Sequence, residues 1–167
     1  MLAVTDTRDN SEAVLAKYSS RVNAAIDYFG PLDLTDLGIP LNNDIVKNFL
    51  GGKTKEEAPE VYKEASPINH VTKDAAPLLI LHSKGDTIPF WHAQKMAEAY
   101  KQAGAEVTLL SPPGGHGFHW QRDQEGAKQA WQAVLEFLQR RFPDAPSATG
   151  GKAGATSKPD WPGQFIR

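Results

Sequence analysis

The residues most able to do chemistry are Asp86 and His116, which lie in two loops thirty residues apart. Asp86 follows the apolar run PLLILHS in the segment KGDTIP, and His116 follows EVTLLS in the segment SPPGGHGFHW. A carboxylate that accepts a hydrogen bond from one imidazole nitrogen fixes the tautomer of the ring, while the other nitrogen takes a proton from a nucleophile. Histidine suits this role because its ordinary pKa, about 6.5, lies near neutral pH. The pair therefore predicts general acid–base chemistry.

The elements around these loops are predicted to place them side by side. PLLILHS is typical of a strand that is buried on both faces, and EVTLLS predicts a second strand. Between them, PFWHAQKMAEAYKQAG has the proline start and glycine end of a helix. Because sites in parallel sheets form beyond the carboxyl ends of strands, we expect Asp86 and His116 at one sheet edge. A structural alternative stays open, since an aspartate after a strand often caps a helix and glycine-rich loops are common there.

Three further segments complete the predicted secondary structure. RVNAAIDYFG alternates before a Gly-Pro pair, which predicts a strand over residues 22–29. NNDIVKNFLGG and KEEAPEVYKEASPI predict short helices, and DQEGAKQAWQAVLEFLQRRF predicts a long one. One face of the long helix carries its large apolar residues, Trp131, Val134, Leu135, Leu138 and Phe142. Strands that alternate with helices predict an α/β fold with a parallel sheet of three strands.

The composition is typical of a globular protein and excludes several function classes. Hydrophobic residues make up 40% of the chain and charged residues 23%. The net charge of −2 argues against a nucleic acid or an anionic membrane as partner, and no apolar stretch approaches the roughly 20 residues of a membrane span. The absence of cysteine excludes disulfides, cysteine zinc ligands and a cysteine nucleophile, and it leaves the redox compartment open.

The remaining histidines and aromatic residues each allow a structural interpretation. His119 follows His116 at a spacing that could suit a metal pair, but no third ligand is apparent in the sequence. His82 is predicted to be a structural hydrogen-bonding residue at a strand end, and His70 and His92 are predicted to lie on the surface. The aromatic residues that flank the two loops could line a pocket or belong to the core: Phe90, Trp91, Phe118 and Trp120.

The order of these segments resembles the C-terminal half of an α/β-hydrolase. The resemblance rests on four segments that follow the family's order over roughly residues 1–142: RVNAAIDYFGPLDLTDLG, FLGGKTKEEAPEVYKEASPINHV, PLLILHSKGDTIPF and AEVTLLSPPGGHGF. The most similar branch comprises esterases and prolyl-oligopeptidase-like hydrolases, including feruloyl and acetyl-xylan esterases. The segment SKGDTIP, which contains Asp86 and is called the acid loop here, departs from the family pattern in two ways. Ser83 stands where the family usually has glycine, and the stretch from Asp86 to Pro89 is one residue shorter.

The resemblance implies a partial α/β-hydrolase fold, with residues 1–142 as its C-terminal portion and three C-terminal parallel strands. It implies that Asp86 is the acid and His116 the base of a serine triad that cleaves a small-molecule ester without a metal or organic cofactor. No serine of the chain lies in the Gly-x-Ser-x-Gly elbow that carries the nucleophile in this fold. We therefore expect the elbow before residue 1, an exposed apolar edge at the first strand, and a chain that is marginally stable and inactive alone.

Three functions remain after this reasoning. The first is a carboxylesterase-like serine hydrolase, the second a non-catalytic remnant or interaction module, and the third a serine peptidase of the prolyl-oligopeptidase type. Ester cleavage is favoured over peptide cleavage because the sequence contains no propeller or other size-selecting domain. Ser83 is disfavoured as a nucleophile because it shares a strand end with Asp86 and lacks an elbow. Residues 143–167, rich in Pro, Ala, Gly, Ser and Thr, are predicted to form a flexible tail.

Overall fold

The computed structural model describes residues 1–5, 14, 17–38 and 43–143. Within these ranges the chain forms a three-stranded parallel sheet with helices on both faces, as the sequence predicts. The predicted flexible tail over residues 143–167 falls almost wholly outside the described ranges. None of the described helices combines the length and the apolar character needed to cross a bilayer.

The sheet consists of β1 (Ala25–Tyr28), β2 (Leu78–Leu81) and β3 (Val107–Leu110), in that spatial order. Leu78 pairs with Ala25 on one side and with Val107 on the other, so β2 is the central strand. Strand β1 is shorter than the predicted span of residues 22–29 because its partner β2 begins only after Pro77, whose carbonyl accepts from Ala25 N. Among the described strands, β1 pairs with β2 alone and therefore forms one edge of the sheet.

Side chains of β2 alternate between two hydrophobic clusters, which explains why the whole strand is apolar. Leu78 and Ile80 pack on one face against α3 (Trp91–Ala103), where the cluster includes the buried Met96 and Tyr100. Leu79 and Leu81 pack on the other face against α4 (Glu125–Arg141). All four β2 residues are buried, so each removes its apolar surface from water at about 25 cal/mol per Å². The central strand therefore joins both layers into one core.

Two short helices and a turn connect β1 to β2. Helix α1 (Asn43–Phe49) is followed by Gly51 and Gly52, as predicted, and Gly52 N donates to Lys47 O. Helix α2 (Pro59–Ala65) begins at a proline, and a 3₁₀ turn over Pro67–His70 follows it. These elements form a small third cluster around Leu34, Leu37, Val46 and Tyr62.

The residues predicted to share one apolar face of α4 are mostly exposed, because Trp131 is 62% and Leu135 is 40% exposed, and of that set only Val134 is buried. The buried residues of α4 are Gly126, Ala127, Ala130, Val134 and Phe137.

His92 was predicted on the surface, but it is 1% exposed at the start of α3. Its Nδ1 accepts from Asp33 N at 3.3 Å and its Nε2 lies 3.3 Å from Leu37 O, so the ring connects α3 to the loop after β1. Burial lowers the pKa of His92, in keeping with a neutral ring that accepts at one nitrogen and donates at the other.

Candidate active site

Asp86 and His116 are in direct contact beyond the carboxyl ends of β2 and β3. His116 Nδ1 lies 2.9 Å from Asp86 Oδ1. The Asp86 side chain is completely buried, whereas the His116 side chain is 50% exposed. Because a carboxylate only accepts hydrogen bonds, this contact favours the tautomer that carries its hydrogen on Nδ1. The second ring nitrogen, Nε2, is then free of a hydrogen and able to accept a proton.

The backbone of the acid loop holds the Asp86 carboxylate in place. Asp86 Oδ1 also accepts from Ile88 N at 2.7 Å, and Asp86 N donates to Ser83 O at 3.2 Å. His82 supports the same loop, since its Nε2 lies 2.9 Å from Ile88 O and its side chain is buried. The predicted structural role of His82 is confirmed by this hydrogen bond.

Glycines allow the acid loop to touch the histidine loop, the segment SPPGGHGFHW that contains His116, through their backbones. A Cβ atom on Gly85 would lie 2.6 Å from Gly114 O, closer than real Cβ atoms come to other atoms. Gly114 has a φ of 128°, in a region that residues with a side chain rarely adopt. The glycines of SPPGGHGFHW therefore permit close approach between the loops, and this approach brings His116 to Asp86.

The exposed side of His116 faces a cavity of about 890 Å³. The cavity is lined mainly by aromatic side chains and carries two cationic residues at its rim: Tyr28, Phe29, His116, Gly117, His119, Trp120, Arg122, Ala127, Lys128 and Trp131. Burial raises the pKa of Tyr28, so its hydroxyl stays neutral at physiological pH. No acidic residue is among the described residues that line this cavity.

Phe29 is a site residue that the sequence reasoning missed. Its ring centroid lies 4.5 Å from that of His116, and its φ of 45° is unusual for a residue with a bulky side chain. A signal was present, because Phe29 directly follows β1 and the carboxyl ends of parallel strands share one edge. Tyr28, Arg122, Lys128 and Trp131 were also missed, although Trp131 had been assigned to the apolar face of a helix.

The other predicted residues are divided between the cavity and the core. Of the four flanking aromatic residues, Trp120 lines the cavity and is 78% exposed, whereas Phe118 is buried in the core. Phe90 packs with the α3 cluster, and Trp91 stacks on His92 with ring centroids 3.8 Å apart. His119 lines the cavity, but no cluster of three or more potential metal ligands occurs among the described residues.

None of the described serine hydroxyls bonds to His116. Ser83 is 2% exposed, and its Oγ donates to Gly114 O rather than pointing into the cavity. The described residues therefore place a carboxylate and an imidazole in contact beside an aromatic cavity, and no described serine hydroxyl bonds to that imidazole.

One protein family model matches the first hundred residues of this chain. The family model BD-FAE matches residues 1–100, which is more than half of the chain. The chain belongs to the BD-FAE family. The matched segment includes Asp86 and ends before His116, so the contact between the two side chains is an observation independent of the family match.

Relatives of this BD-FAE family member include named esterases. Esterase LipC of Mycobacterium tuberculosis is 33% identical over 103 residues, which cover 58% of this chain and 26% of that protein. A truncated form of a carbohydrate esterase from gut microbiota is 31% identical with a TM-score of 0.63, over 75% of this chain and 44% of that one. The propionate-bound thermophilic esterase Est2 of Thermogutta terrifontis is 28% identical with a TM-score of 0.60, over 78% and 47%. The α/β-hydrolase fold predicted from the sequence is thus confirmed, and the chain spans under half of each of these relatives.

Proposed function

We propose that this chain supplies the acid and the base of a serine hydrolase that cleaves carboxylic esters. The observation that carries the proposal is the 2.9 Å contact between a completely buried Asp86 carboxylate and a half-exposed His116 ring. A buried carboxylate orients the ring and stabilises the imidazolium, while exposure lets the other nitrogen reach a substrate.

In the proposed reaction, a serine hydroxyl attacks the ester carbonyl carbon while His116 Nε2 takes the hydroxyl proton. The tetrahedral intermediate then collapses, the bond to the alcohol oxygen breaks, and His116 returns the proton to that oxygen. In the second half a water molecule attacks the acyl carbon and gives a proton to His116. The bond to the serine oxygen then breaks, His116 returns the proton to that oxygen, and the carboxylic acid product leaves. Asp86 accepts the hydrogen bond from Nδ1 throughout.

The nucleophilic serine of this proposal comes from outside the described residues. No described serine contacts His116, and the chain spans 44% of one solved relative and 47% of another. We infer that residues 1–142 correspond to the C-terminal portion of a hydrolase domain, and that the remaining portion of such a domain contributes the elbow and the oxyanion hole.

The cavity suits a small-molecule ester as substrate. Its aromatic lining around Phe29 and Trp120 provides apolar surface for an acyl or alcohol group, next to the proton-accepting edge of His116. The relatives reported above are named as esterases, and one is named as a carbohydrate esterase, which supports ester rather than peptide cleavage.

A fluorophosphonate probe tests this function. We expect the probe to label one serine of the complete reading frame that contains this chain, and to leave the isolated 167-residue chain unlabelled. His116→Gln is expected to slow labelling by about 100-fold or more, because the hydroxyl then has no base. Labelling at an undiminished rate in His116→Gln would contradict the proposal, as would labelling of the isolated chain at Ser83.

A further inference from the structure

We propose that Ser83 is a positioning residue that fixes the histidine loop against the acid loop and thereby keeps His116 on Asp86. Its catalytic consequence rests on the function proposed above. The control that Ser83 exerts over the His116 tautomer does not depend on that function.

Ser83 bonds to both loops at once. It lies directly after His82 at the end of β2, and its side chain is buried at 2% exposure. Its Oγ donates to Gly114 O at 2.5 Å and accepts from Gly85 N at 3.2 Å. Its own carbonyl accepts from Asp86 N at 3.2 Å. Through three hydrogen bonds, one residue therefore constrains the backbone on both sides of the contact.

The bond to Gly114 is the one that reaches the histidine loop. Gly114 lies two residues before His116, and no other described group donates to its carbonyl oxygen. The two loops are already close, since a Cβ atom on Gly85 would lie 2.6 Å from the same oxygen. Without the hydroxyl, the Gly114 carbonyl would lose its one described donor, and a shift of the loop toward water would become favourable. A hydrogen bond such as the one from Ser83 Oγ to Gly114 O changes the ratio of the bonded to the open loop conformation by a factor of about 3 to 10.

The test is the tautomer ratio of the neutral His116 ring, measured from its ¹⁵N chemical shifts by NMR on the 167-residue chain. Ser83→Ala is expected to lower the ratio of the Nδ1–H to the Nε2–H form by about 3- to 10-fold, because the ring leaves the carboxylate more often. Ser83→Cys, which keeps a weaker donor on a somewhat larger side chain, is expected to give an intermediate ratio.

Ser66→Ala is the matched control. Ser66 is also a fully buried serine whose hydroxyl bridges two backbone segments, donating to Tyr62 O at 2.7 Å and accepting from Leu34 N at 2.8 Å. It does not contact the histidine loop, so its loss is expected to leave the His116 ratio unchanged while costing comparable stability.

Three outcomes would overturn the positioning role of Ser83. The first is a folded Ser83→Ala chain whose ratio stays within about twofold of the parent value, and the second is an equal change in Ser66→Ala. The third needs no variant and is a Gly85 amide that exchanges with solvent as fast as that of exposed Lys84. Because none of these measurements involves hydrolysis, a failure of the esterase proposal would show separately, in the probe experiment.

Discussion

Replacing Gly126 with alanine tests how closely α4 approaches the histidine loop. Gly126 is the second residue of α4 and is buried. A Cβ atom there would clash with Pro113 O, well inside the 3.0 Å limit of real Cβ contacts. Pro113 lies three residues before His116, so any relief of this clash moves either α4 or the loop that carries His116.

Two opposing effects decide the sign of the change. Alanine is a better helix former than glycine by about 1 kcal/mol, which alone would stabilise α4. Overpacking against a backbone atom costs up to about 3 kcal/mol, since a carbonyl cannot rotate away as a flexible side chain does. We therefore expect Gly126→Ala to lower the free energy of unfolding by about 2 kcal/mol.

Equilibrium urea denaturation followed by far-UV circular dichroism measures this effect. With an m-value of about 2 kcal/mol per M, the midpoint is expected to fall by about 1 M. Gly115→Ala is the control in the same loop, because its nearest new contact is Gly85 O at an ordinary 3.4 Å. A Gly126→Ala midpoint equal to or above that of the parent would refute the close contact between α4 and the loop.

Three further predictions concern charge and the exposed face of α4. Burial lowers the pKa of His92 below 6.5, so the unfolded chain binds a proton there more readily than the folded chain does. The free energy of unfolding is therefore expected to fall as the pH drops below 6.5. Urea denaturation between about pH 5 and 8 measures this fall, which is expected to be less steep in His92→Gln. Burial raises the pKa of Asp27 above 3.8, so the folded chain binds that proton more readily and stability falls as pH rises through the folded-state pKa. Asp27→Asn, which keeps an acceptor for Gly30 N, is expected to remove this fall and to increase stability at neutral pH; a less stable variant at pH 7 would contradict this assignment. Leu135 is 40% exposed, so Leu135→Lys is expected to reduce concentration-dependent association in sedimentation velocity while changing stability by no more than about 0.5 kcal/mol.

The parts of the fold that the sequence predicted are those with strong local signals. The uninterrupted apolar run of β2 indicated a strand buried on both faces, and the proline and Gly104 bounded α3 close to where the helix begins and ends. The thirty-residue spacing of Asp86 and His116 predicted neighbouring loops because one strand–helix–strand unit separates them. Their 2.9 Å contact agrees with that geometry, and their catalytic role stays a prediction.

Hydrophobicity alone did not predict which surfaces pack inward. In α4 Trp131, Leu135 and Leu138 share one largely exposed face, yet the face that packs inward carries Gly126, Ala127 and Ala130 beside Phe137. Only small residues allow a helix to approach the Pro113 carbonyl so closely. Apolar periodicity finds a helix and its faces, but it does not reveal which face lies against a backbone. The burial of His92 was missed for a similar reason, since its partners are backbone atoms of a loop far away in the chain.

The most direct test of the central claim is kcat/KM for an activated aryl ester, measured on the complete reading frame with and without His116→Gln. If His116 is the base that Asp86 orients, kcat/KM is expected to fall by about 100- to 10,000-fold, with Asp86→Asn also strongly impaired. A His116→Gln enzyme that retains more than about a tenth of the parent value would contradict the claim that these two side chains are the acid and base of the hydrolase.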